Sequence, residues 1–171
     1  MRRCNTRSTV PRQNRFRDEI RARDRGCVIS GKVNPESAIE VGDWVSLEAA
    51  HIFPSAYGSI WNWRRYGRFI TDMNDYPASS RIHSIQNGFL LQSNIHQRFD
   101  QYLVSINPDD GYKVVAFSID RDGLDGRILD PACRRPGDRH RVSDFLLRWH
   151  FRQSVLANMR GAGGPITELA A

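Results

Sequence analysis

The stretch NGFLLQSNIHQRFD, residues 87–100, carries an amide, an imidazole and a carboxylate at intervals that chemistry can use. If residues 93–101 are helical, His96 and Asp100 stand one turn apart on one face. An imidazole and a carboxylate so placed are half of a divalent-cation site, with borderline donors that suit Mg, Mn, Zn or Ni. Asn87 belongs to an Asn-Gly turn entering the apolar run GFLL, where its amide could hold another loop in place. His51, at the end of LEAAHI, completes the cluster if its strand pairs with the one after Asn87. A histidine beside a metal, but not bound to it, can accept a proton from water. The cation meanwhile stabilises a pentacoordinate phosphate and its departing oxygen. The chemistry these side chains point to is hydrolysis of a phosphodiester.

The charge agrees with such a substrate. The formal net charge is +6 and the pI about 9.7, which suits a polyanionic partner. Of the 25 basic residues 23 are Arg, only Lys32 and Lys113 differing, and a planar guanidinium matches phosphate oxygens better than an ammonium. An Arg-biased composition accounts for the same count equally well. No apolar run is long enough to cross a bilayer and no signal-peptide core follows Met1, so the expected setting is intracellular, nuclear or cytoplasmic, without secretion. Cys4, Cys27 and Cys133 are scattered and odd in number, which fits a reducing compartment.

A chain of 171 residues fits one domain with a real core. Residues 1–12 read as a basic arm: nucleic-acid-binding, organelle-targeting or simply loose. Residues 13–160 form the domain and 161–171 a loose tail. Phe16 and Ile20, four apart among charges, predict a surface helix over 13–25 stopped by Gly26. CVISG predicts a short strand and turn, residues 43–53 a strand ending near Pro54, and GFLL a second strand. Ser93 is the expected N-cap of the helix bearing His96 and Asp100. Two alternating runs around Pro-Asp-Asp-Gly predict a hairpin over 102–120, and residues 142–160 a helix closed by Gly161. The fold class is therefore α+β.

His51, Asn87 and His96, framed by EAAHIFP, NGFLL and NIHQRFD, resemble the motif of the HNH endonucleases. The fuller pattern is similar to the branch common in fungal and bacterial HNH-domain proteins, closest to the fungal ones, and covers residues 13–160. The resemblance implies a ββα-metal (His-Me finger) core, here with an added hairpin and N- and C-terminal helices, that pinches one divalent cation and enters the minor groove of DNA. It implies that His51 is the general base and that Asn87 orients the His51 loop or touches the metal. It implies that His96 and Asp100, nine and thirteen residues after Asn87, are metal ligands. The substrate would be DNA, with RNA left open, and the products a 5′-phosphate and a 3′-hydroxyl. Sequence specificity and oligomeric state are not legible.

Two positions depart from the pattern. Many HNH enzymes carry Asp or His just before the base; here it is Ala50, and Glu48, Asn87 or water must fill the place. Where zinc-bearing relatives have two Cys-x-x-Cys pairs, this chain has Cys27, Ser30, Gln92 and Ile95, so no four-thiolate structural zinc is expected. Val28, Ile29 and Leu91 are the apolar candidates to replace it. The alternative function is a catalytically impaired HNH-fold module that only binds nucleic acid.

The insert at 57–68 interleaves Trp61, Trp63 and Tyr66 with Arg64, Arg65 and Arg68. These arginines are candidate backbone contacts with stacking aromatics between them. A helix burying both tryptophans on the core, with Arg outside, explains the pattern as well. His83 reads as a loop residue that approaches phosphate, and His150 as structural.

Overall fold

Two antiparallel strands carry the first half of the motif. The computed structural model describes residues 10–160. In it β1 (Leu47–His51) pairs with β2 (Gly88–Gln92), Leu47 standing opposite Gln92 and His51 opposite Gly88. The strand expected over 43–53 is thus shorter, because residues 44–46 form a turn, with Ser46 at φ 64°. Helix α4 (Ser93–Asp100) follows β2 without a loop. Its cap is Gln92, the last strand residue, and Ser93 is already helical, so Ser93 is not the cap. Ile95 and Phe99 face the core at 1% exposure each, which turns His96 and Asp100, one position further round, toward solvent. The chain is α+β, as its patterning indicates.

Helix α1 (Val10–Asp24) begins three residues before the expected start, with Pro11 in its first turn, where a missing N–H costs nothing. Residues 10–12 are therefore helical rather than part of an arm; residues 1–9 of the expected arm and the expected tail with its Gly161 stop lie outside the described residues. Phe16 and Ile20 are buried as their spacing predicts, each stabilising by about 1.5–3 kcal/mol. Beyond them lies an ion pair the spacing does not show. Arg23 and Asp24 are 2.6 Å apart, with side chains 7% and 0% exposed. Arg23 donates to the carbonyls of Ile85, Gly88 and His140, and Asp24 accepts the Leu90 N–H at 2.8 Å. Burial raises the Asp24 carboxyl pKa, and the Arg23 guanidinium opposes that rise. The end of α1 is thereby tied to the start of β2.

CVISG forms no strand. Gly26 alone bridges Val33, and residues 28–30 turn. A Cβ on Gly26 would lie 2.6 Å from the Lys32 carbonyl oxygen, so the close approach needs glycine. Where thiolates would grip zinc in similar chains, the Ser30 hydroxyl donates to the Gln92 amide oxygen at 2.6 Å and the Val28 N–H to the Leu90 carbonyl. Val28, Ile29, Leu91, Cys27 and Ile95 are all buried around this crosslink.

The remaining elements close the core. Short α2 (Glu36–Glu40) and α3 (Gly58–Trp63) flank β1 in sequence, β3 (Val104–Asn107) pairs with β4 (Lys113–Ala116), and α5 (Asp144–Met159) packs on β3. Phe53 sits among Trp61, Tyr66 and Trp149 at ring distances of 5.3, 5.5 and 4.5 Å. The insert's aromatics divide: Trp61 is buried and donates to the Ala78 carbonyl, whereas Trp63 is 74% exposed.

His150 on α5 joins three elements. Its ring stacks on Phe99 at 3.6 Å, Nε2 donates to the Phe99 carbonyl at 3.0 Å, and Nδ1 accepts the Ser105 hydroxyl at 2.7 Å. The carbonyl fixes the hydrogen on Nε2 and the imidazole stays neutral, its pKa pushed by burial to about 3. The unfolded chain binds a proton at this residue near the ordinary imidazole value, and the folded chain only near 3. The associated stability is complete above the ordinary value and declines as pH falls toward about 3. The expected slope from this residue is up to about 1.4 kcal/mol per pH unit. Urea unfolding of wild type and His150→Asn between pH 7 and 5 checks it; equal slopes would contradict the neutral buried ring.

Candidate functional site

The strand pairing and the β2–α4 junction create one cleft. It has a volume of about 400 Å³, and His51, Ala49, His96 and Asp100 line it together with Tyr57 and Tyr102. Alternation along β1 puts Ala49 on the cleft side with His51, whereas Ala50 is fully buried. The structure thus brings His51, His96 and Asp100 to one cavity, and leaves Asn87 out of it.

Asn87 is 0% exposed and its amide is spent on backbone. Oδ1 accepts the Phe53 N–H at 2.8 Å; Nδ2 donates to the Phe53 carbonyl at 3.1 Å and the Ile82 carbonyl at 2.8 Å. Both amide hydrogens are used, so this group clamps the segment after His51 to the segment before β2. It has no donor to offer in the cleft, and of the three ways to fill the place at Ala50, Asn87 is closed.

The residue after Asn87 does not make the expected Asn-Gly turn. Gly88 is extended and opens β2. A Cβ there would lie 2.4 Å from Phe16 Cζ and 2.7 Å from the Ala50 carbonyl oxygen. Glycine is required because Phe16 lies across this point to stack on His51, with ring centroids 4.0 Å apart and planes at 7°.

His51 is held on its edge as well. Its Nε2 is 3.2 Å from Nδ1 of His83, the rings standing edge to face. Nδ1 has no hydrogen-bond partner among the described residues. Burial, with His83 adding to it, lowers the His51 pKa to about 3, so the ring is a neutral base at pH 7. His83 ends the short 3-10 turn Ala78–His83 and is itself held below the ordinary value by burial and then by the Arg12 guanidinium. Its ring rests on His51, a contact that the reading of His83 as a phosphate-approaching loop residue did not contain. Its position four residues before Asn87 was the only signal in the sequence.

His96 lies between two carboxylates. Nδ1 is 2.6 Å from Glu48 Oε2 and Nε2 is 3.2 Å from Asp100 Oδ2. Asp100 first, and then Glu48, raise the His96 pKa against the effect of burial, and the His96 hydrogen bond lowers that of Glu48. Glu48 therefore reaches His96 from β1, two residues before Ala50. Carboxylate, imidazole and carboxylate form a donor set that fits a divalent cation in kind. With the ring between the two acids, however, no three His, Cys, Asp or Glu side chains among the described residues converge on a single point. Both acids are about half exposed and their side chains can turn.

Of the insert's arginines, Arg65 and Arg68 are exposed, while Arg64 is half-buried with its guanidinium over the Trp63 ring at 4.5 Å. Among the described residues no helix is long and apolar enough to cross a membrane.

Residues 27–107 match the family model described as HNH endonuclease. The matched segment begins after α1, ends with β3, and includes His51, Asn87, His96 and Asp100. It supports the HNH family and, with it, nuclease activity on nucleic acids. Among curated proteins and among solved structures nothing matches the chain significantly.

The tight fit around Gly88 has a direct test. Gly88→Ala must displace Phe16, destabilising the fold by about 1–3 kcal/mol and removing the Phe16 ring current from His51. Chemical denaturation reads the first effect and the His51 ring-proton shifts read the second. Unchanged shifts would mean that the stack does not depend on Gly88.

Proposed function

We propose that this chain is a divalent-cation-dependent endonuclease that hydrolyses DNA phosphodiesters, with β1, β2 and α4 as a ββα-metal core. The observation that supports it best is the shared cleft. A neutral His51, with one ring nitrogen unengaged, lines the same cavity as His96 and Asp100.

In this reading His51 Nδ1 takes a proton from a water molecule. The water oxygen forms a bond to phosphorus, and the opposite 3′ oxygen leaves with the bonding electron pair and takes a proton from solvent. The products carry a 5′-phosphate and a 3′-hydroxyl. His96, Asp100 and Glu48 would hold the cation. It supplies positive charge where the phosphoryl oxygens and the leaving oxygen accumulate negative charge. For the three donors to meet it, His96 must release the proton it shares with the carboxylates. Asn87 acts through backbone, keeping His51 at the cleft wall. Arg65 and Arg68, with Arg64 beside them, are the proposed phosphate contacts of the flanking duplex, and the exposed Trp63 among them offers a stacking face.

A nicking assay on supercoiled plasmid with Mg or Mn tests the reading. Wild type is expected to nick only with the cation, and His51→Ala to lose roughly 100-fold or more. A second reading, a binding module without cleavage, draws on Ala50 and on the engagement of both His96 nitrogens. Binding of DNA by both proteins with no nicking by either would establish it. Glu48→Ala is expected to weaken Mn binding on the order of tenfold in calorimetric titration. Unchanged affinity would remove Glu48 from the ligand set.

A further inference from the structure

We propose that His83 is the positioning residue of the site: its Nδ1 accepts the His51 Nε2–H and so fixes the tautomer that leaves His51 Nδ1 bare toward the cleft. The inference rests on the hydrolytic reading for its consequence, but its geometry stands apart from it. Two neutral imidazoles 3.2 Å apart, Nε2 to Nδ1, share one hydrogen, and either ring could supply it. If His83 Nδ1 supplied it, His51 would carry its own hydrogen on Nδ1, the nitrogen without a partner among the described residues, and no base would face the cleft. Only the opposite arrangement gives an acceptor there.

The surroundings of His83 permit that arrangement. The charged group beside it is the Arg12 guanidinium, which donates to Ser80 Oγ at 2.7 Å on the same 3-10 turn and opposes a positive charge on the ring. A neutral His83 can therefore offer its Nδ1 lone pair as the acceptor. Asn87 grips the carbonyl of Ile82, next to His83, and both backbone groups of Phe53, two residues after His51. One amide therefore sets the separation of the two rings, and the Phe16 face sets the plane of the first. When His51 Nδ1 takes a proton from water, the ring becomes an imidazolium. Its Nε2–H···Nδ1 bond to His83 is then charge-assisted and roughly twice as strong as the neutral one. His83 holds the base in orientation before the transfer and stabilises its charge after it, without touching substrate.

Two variants and two readouts test the pairing. His83→Leu removes the acceptor, while His83→Asn keeps an oxygen near the place of Nδ1. The expected result is a fall in kcat for nicking on the order of 10- to 100-fold in His83→Leu with KM little changed, and recovery to within a few-fold in His83→Asn. In nitrogen-15 spectra of histidine-labelled protein at neutral pH, the His51 hydrogen is expected on Nε2 in wild type and His83→Asn. In His83→Leu it is expected to be shared between both nitrogens. A His51 hydrogen on Nδ1 in wild type, or wild-type kcat in His83→Leu, overturns the proposal. If the wild-type chain cuts no DNA, the hydrolytic reading fails and the spectra alone decide the pairing.

Discussion

A single buried amide carries the geometry on which the rest depends. Asn87 is sealed from solvent and makes three hydrogen bonds to main chain. Removing any of them strands a buried backbone group at a cost of about 1–3 kcal/mol. The bonds join segments distant in sequence: one runs out of β1 past His51, the other arrives at β2 through His83. A hydrophobic contact could hold these segments near one another, but not in register to a fraction of an ångström. Directional bonds from a planar group can. Neighbouring Phe53 adds the apolar half of the same anchor, because its ring is fixed among Trp61, Tyr66 and Trp149 while its backbone is fixed by the amide.

Much of this was legible in residue order, for reasons that can be stated element by element. The apolar run gives β2 because residues 88–91 are all buried, and β1 is the strand that pairs with it. The i, i+4 spacing gives α4 because Ile95 and Phe99 face inward, which leaves no other side for His96 and Asp100. The errors arise where the deciding partner is remote. Ser93 looks like a cap only if a loop precedes the helix, and none does. Asn87-Gly88 looks like a turn until Phe16, some seventy positions upstream, is seen to occupy the space of a Cβ. The contact of His83 with His51 depends on a 3-10 turn that no periodicity announces. Glu48 was within reach as a candidate, but its bond to His96 is fixed by the strand-to-helix junction.

The electrostatics of the cleft are divided between two imidazoles. His51 lies against an aromatic face and a second neutral ring, and burial keeps it uncharged. His96 lies between two acids, which raise its pKa against the effect of burial. The same side chain is thus shifted in opposite directions by its surroundings. At the positions where similar chains hold zinc, the Ser30–Gln92 bond and its apolar shell crosslink the same two segments by ordinary packing.

Phe16 lies on α1, ahead of the matched segment, and Trp149 and His150 lie well behind it. His51 and the segment after it are therefore braced by chain that the recognisable motif does not contain. A fragment cut to the motif's borders would lose an aromatic wall from one side and the α5 contacts from the other, and Asp24 would no longer meet the Leu90 amide. The autonomous unit is larger than its signature. Variation in α1, remote in sequence from the cleft, is one turn of a ring away from altering how His51 is held.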